Sequence, residues 1–204
     1  MTTSTWGMRP WLDAATLESV LEANEQALTL LSAQCQRDDS APLICEVKDL
    51  LLSLDPKSLR RAATSAVLLV DAGFADARLW SSAVVGAVHD RPQSEPPPFF
   101  TVDGSVALMR LVVTQAWHLA RSQPAAARLL FGLSALNLEV LGSCTLSRLI
   151  PLAETRSHWL RPRWEDRPAV WSDLLRVAGS EARRPLERMR VRGLQLLAAE
   201  ARPG

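Results

Sequence analysis

Leu17, Val20, Leu21, Leu28 and Leu31 recur at the three- and four-residue spacing that stacks side chains on one face of a helix. The same period returns in segment after segment, so the chain must fold by packing helices on helices. The spacing and its punctuation predict helices over 13–36, 43–54, 55–72 and from Asp76 onward. Further helices are predicted over 103–122, 124–131, 134–141, 145–155, 169–177 and 180–200. Asp13, Asp76, Ser134 and Thr145 stand where N-caps belong, and Asp55-Pro56 joins a cap to a first-turn proline. Gly73 is the expected stop of the third helix. Tyrosine is absent and glycine limited to nine residues, so hairpins are not expected. The expected fold class is all-α, a multi-helix bundle whose second half holds a helix-turn-helix-like group of short helices.

The stretch Arg91-Pro92-Gln93-Ser94-Glu95-Pro96-Pro97-Pro98 cannot be helical. It marks a candidate division into an N-terminal helical domain (1–90), a Pro-rich linker (91–102) and a second helical domain (103–204). In the second, Val106, Leu108, Met109, Leu111, Val112, Val113, Trp117 and Leu119 make 103–122 apolar on most sides. Such a helix belongs in a core or an intersubunit seam.

The net charge of +1 conceals an asymmetry. Residues 151–204 hold eleven arginines against seven acids, while 1–150 hold twelve basic and fifteen acidic residues. A basic C-terminal third suits nucleic acid or an acidic partner, or is a solvated helix face. Arg156, His158, Arg161, Arg163 and Arg167 interleave with Trp159 and Trp164. Arginine forks grip phosphates and tryptophans pack guanidinium stems. Alternatively the tryptophans anchor the core with Trp171, and Glu165 and Asp166 pair with the arginines. In the last helix, Arg184 and Arg188 share a face, as do Arg188 and Arg192, and Leu186, Met189, Leu194, Leu196 and Leu197 give it an apolar side.

Catalytic chemistry finds little support. His89, His118 and His158 are far apart, and no phosphate-cradling glycine loop, H-E-x-x-H or G-x-S-x-G occurs. The expectation is a protein that is not an enzyme and holds no cofactor or metal. Cys35, Cys45 and Cys144 lack a framework spacing and a fourth ligand, which argues for buried thiols in a reducing, cytoplasmic setting. No apolar run approaches the roughly 18 residues of a membrane span.

The three short helices between 124 and 155, joined at Gly132-Leu133-Ser134 and Gly142-Ser143-Cys144, have helix-turn-helix grammar. In that reading Ser147 and Arg148 would face a DNA groove. Thr145-Leu146, Leu152-Ala153-Glu154-Thr155 and Arg163-Trp164, with Leu119-Ala120-Arg121 and 125–131 upstream, resemble the FlhD-type flagellar transcriptional regulators. The resemblance covers about residues 119–164 and requires short gaps beside Phe131. It implies a bacterial transcriptional activator subunit, a helical homodimer acting with a FlhC-like DNA-binding partner on double-stranded DNA. Arg148, Arg156, Arg161, Arg163 and Arg167 are then the candidate DNA contacts. Val113, Trp117, Leu119, Phe131, Leu146 and Leu152 are the candidate interface. Leu160 stands where the family has an intersubunit cysteine, so that disulfide is not available. The alternative is a helical protein–protein adaptor or chaperone-like protein that never touches nucleic acid.

Overall fold

A computed structural model describes residues 14–37, 40–65, 67–85, 97–180 and 183–200. These residues form an all-α multi-helix bundle. In chain order the helices are α1 (Ala14–Arg37), α2 (Pro42–Ser53), α3 (Pro56–Ala63), α4 (Ala77–Val85), α5 (Ser105–Ser122), α6 (Pro124–Phe131), α7 (Ala135–Ser143), α8 (Leu146–Thr155), α9 (Pro168–Gly179) and α10 (Arg183–Glu200). A 3-10 turn covers Ser157–Trp159. Two short strands, β1 (Val70–Asp71) and β2 (Arg161–Pro162), pair antiparallel.

The helix starts follow local chemistry. Asp55 accepts a hydrogen bond from the Ser58 amide at 2.7 Å ahead of Pro56. That bond holds its carboxyl below the usual aspartate range. Asp76 accepts from the Arg78 and Leu79 amides, and Ser134 from that of Asn137. Thr145 makes no such bond to the first turn of α8. The expected caps at Asp13 and the linker residues 91–96 lie outside the described residues.

α1 and α5 run antiparallel through the centre. Gln115 Nε2 donates to the Ser19 carbonyl at one end, and Gln34 Oε1 accepts from the Thr101 amide at the other. One apolar core runs continuously from Val20 to Ala178. It includes Leu28, Leu31, Val47 and Trp80 from the first half, and Met109, Val113, Phe131 and Trp171 from the second. Residues on the two sides of the Pro-rich stretch therefore share one core. Phe99, Phe100 and Val102, placed in the linker by the sequence pattern, are buried in it.

The third predicted helix stops at Ala63, well short of Gly73. Val67, Leu68, Leu69 and Val70 leave it in irregular, then extended, form, and all are buried. A short run of such residues fits a buried strand as well as a helix. Its main chain is out of water and needs partners. α1, α6 and Arg163 supply them, while α4 and α7 hold the carbonyls that follow at Ala72, Phe74 and Asp76. Asn24 of α1 donates to the Ala63 and Val67 carbonyls and accepts from the Leu69 amide. The Leu68 amide donates to the Leu130 carbonyl of α6, and Trp80 Nε1 of α4 to the Ala72 carbonyl. Asn137 of α7 donates to the Phe74 and Asp76 carbonyls. Arg163, just after β2, donates to the Leu68 and Val70 carbonyls.

Candidate protein-binding surface

Of the arginines nominated for DNA, Arg163 lies in the interior. Arg163 is 6 % exposed. Its Nε donates to the Leu68 carbonyl at 2.9 Å, and its Nη2 to those of Val70 at 3.3 Å and Phe131 at 3.0 Å. The Asp71 carboxylate lies 3.8 Å away. The Phe131 carbonyl is among the orphan acceptors at the C-terminal end of α6, where a guanidinium is doubly welcome. Arg163 therefore belongs to the core and cannot grip a phosphate. The geometry around it is tight. Its own amide donates to the Leu69 carbonyl, and Trp171 Nε1 donates to its carbonyl at 2.6 Å. Trp164 next to it adopts φ 56°, a left-handed conformation uncommon for so bulky a residue. Its ring is buried with Val67, Val170 and Leu197.

The remaining candidates engage their own chain. Arg161 Nε pairs with Glu165 at 2.6 Å, its Nη1 donates to the Pro97 carbonyl, and its guanidinium lies over the Phe99 ring. Arg148 Nη2 donates to the Val84 carbonyl at 2.6 Å. The Arg156 guanidinium rests 5.4 Å from the Trp159 ring centre, and Arg167 lies 3.6 Å from Asp166. Trp159, Trp164 and Trp171 are all buried, as the core-anchor alternative required.

Half of the nominated interface residues lie in the interior. Val113, Leu119 and Phe131 are buried within the protomer and cannot meet a second copy. Trp117, Leu146 and Leu152 are half-buried. Trp117 Nε1 donates to the Cys144 carbonyl at 2.9 Å, which ties α5 to the end of α7. The Cys144 thiol is pushed up by burial, opposed by the charge of Arg148. His89 lies outside the described residues. Among the described residues, no group of three His, Cys, Asp or Glu side chains comes together in a metal-holding arrangement.

α7 offers a different surface. Its sequence, Ala135-Leu136-Asn137-Leu138-Glu139-Val140-Leu141-Gly142-Ser143, is apolar around most of its circumference. Only Asn137 and Leu141 are buried. Leu136 is 47 % exposed, and Leu138 and Val140 are half-buried. The reason lies in how the helix is fastened. Its inward side is taken by the Asn137 amide, which serves the Phe74 and Asp76 carbonyls, so its leucines are not all drawn into the core. Beside it, Ala120 and Arg121 of α5 and Leu138, Glu139 and Gly142 of α7 line a shallow open groove. Arg121 caps one end, donating to the Gly142 carbonyl at 3.3 Å with its guanidinium over the Trp117 ring. The groove thus has an apolar floor with one cation and one carboxylate at its rim. The signal was present in the sequence: Leu136, Leu138, Val140 and Leu141 cannot all face one core.

Among the described residues, no single helix is long and apolar enough to cross a membrane. Comparison with protein-family models, curated proteins and solved structures finds no match to this chain.

Proposed function

We propose that this chain is a non-catalytic helical adaptor of the cytoplasm that binds another protein through α7 and its groove with α5. The observation that carries the reading is the exposure of α7. An apolar helix that keeps only two residues in its own core leaves the kind of surface that partners cover. The rim charges, Arg121 and Glu139, would set the orientation of an apolar partner segment. The engagement of Arg148, Arg161 and Arg163 with their own chain supports the same reading, because it takes these three from the arginines that could grip phosphates.

The test compares the wild type with Leu136→Asp. The substituted side chain is exposed, so the thermal melt should stay close to wild type. Proteins recovered with the wild type by crosslinking in its native cells should be lost from the variant. An unchanged set of partners would remove the Leu136 face of α7 from consideration.

A second reading is the regulator subunit, a homodimer on double-stranded DNA with a FlhC-like partner. What favours it is the resemblance over 119–164 and the exposed arginines of α10. Fluorescence anisotropy of labelled duplex DNA separates the two. The adaptor reading expects no binding even at low salt. Binding that weakens steeply with salt would move the conclusion to the regulator.

A further inference from the structure

We propose that two copies of this chain associate reciprocally, α1 of each lying against α10 of the other. On α10, Arg184, Arg188 and Val191 follow one another at helical spacing along the outer face, and Val191 is 54 % exposed. Arg184 and Arg188 are exposed and have no carboxylate partner among the described residues. On α1, Glu18 and Glu22 are exposed one turn apart beside Leu17, itself 44 % exposed, and have no cationic partner among the described residues. The two rows are opposite in charge, and an exposed apolar side chain, Leu17 or Val191, lies on each helix.

Both helices are fastened to the same stretch of chain. Asn24 of α1 binds the Ala63 and Val67 carbonyls, and Arg190 of α10 donates to Thr64 Oγ1 at 2.7 Å. The anchors hold the two helices to one stretch while the charged rows face away from it, and association about a two-fold axis would set each α1 against the partner's α10. Symmetry then makes every charge pair twice. Duplex DNA is the other polyanion an arginine row accepts. Glu187 is exposed beside Arg188 and lowers the positive charge of the row. Arg192, on the flank of the row, is already held at 2.8 Å by Asp173. The inference is independent of what α7 binds.

Sedimentation velocity of the full chain at low and high salt tests it. The expected result is a monomer–dimer equilibrium that weakens as salt rises. Arg184→Glu with Arg188→Glu, and separately Glu18→Arg with Glu22→Arg, should each weaken self-association by about tenfold or more, since four pairs change sign. All four sites are exposed, and thermal melts should confirm that both variants are folded. Mixing the two variants restores complementarity at both contacts, so a heterodimer should form. A monomer at every concentration in low salt overturns the proposal. So does a dimer indifferent to either reversal, or two variants that do not recombine on mixing. Monomeric protein whose binding to labelled duplex DNA is lost in the arginine variant would assign the row to nucleic acid instead.

Discussion

Arg163 and Arg188 come from the same arginine-rich stretch of sequence, yet their surroundings are opposite. Arg163 is surrounded by three carbonyl groups from two distant segments, while Arg188 stands on an outer helix face. Around Arg163 the chain turns sharply and packs aromatic rings, and around Arg188 it is regular helix in contact with water. The difference teaches that the density of arginine along a chain says little about its use. What decides is whether buried main-chain acceptors nearby lack other donors. The Leu68 and Val70 carbonyls belong to an interior segment with no helix to satisfy them, and Arg163 is the donor that reaches them.

The comparison can be broken most directly at Arg163. Arg163→Ala should destabilise the fold by about 3–5 kcal/mol, because it leaves several buried carbonyls unpaired at once. Urea denaturation reads this, and Arg163→Lys should recover little, since a point charge cannot replace a planar fork. A loss below about 1 kcal/mol would mean that water serves those carbonyls in its place. Asn24→Ala should cost about 2–3 kcal/mol by the same measurement, as it removes three bonds to the same buried segment. Gly132→Ala sharpens the picture. Gly132 has φ 69°, and a Cβ there would stand 3.0 Å from Arg163 Nη1. A loss of about 1–2 kcal/mol is expected from the left-handed backbone alone. A further increment that vanishes in the Arg163→Ala background would show contact between the two.

Asp55→Ala should lower the melting temperature by less than any of these. The Asp55 carboxyl is depressed in the folded state, so its contribution is present above the unfolded aspartate range and lost as pH falls through its lower folded value. The wild type and variant should therefore converge in acid, and a difference that persists there would locate the effect elsewhere. Smallest of all, Arg184→Ala and Arg188→Ala should each stay within about 0.5 kcal/mol of wild type, as exposed helix positions do. Arg188 would lose its place as the contrasting case if its removal cost as much as that of Arg163.

The helices were readable because their signals are local. Asp55-Pro56, Asp76 and Ser134 each announce a start within a few residues of it. What escaped were contacts whose partners have no side-chain signature. Nothing near Arg163 in sequence points to the carbonyls of Leu68, Val70 and Phe131. The buried run Val67–Val70 reads as helix in the sequence because periodicity cannot separate a short buried strand from a helix end. Two amides in the sequence carry a signal of the buried segment. Asn24 sits on the apolar stripe of α1 between Val20 and Leu28, where an amide must have a buried purpose. Asn137 does the same in a leucine-rich helix. The tryptophans of 156–167 were legible as core anchors, and once they are placed inside, Arg163 between them has little choice but to follow.

The order of synthesis adds a consequence of the Arg163 contacts. A ribosome delivers Leu68, Val70 and Phe131 before the arginine that satisfies their carbonyls. At about 5–20 residues per second, the apolar run 67–70 waits about 5–20 s for its donor. During that interval an emerging chain exposes a β-prone sequence with open hydrogen-bonding groups, the very profile that aggregation and holding chaperones both recognise.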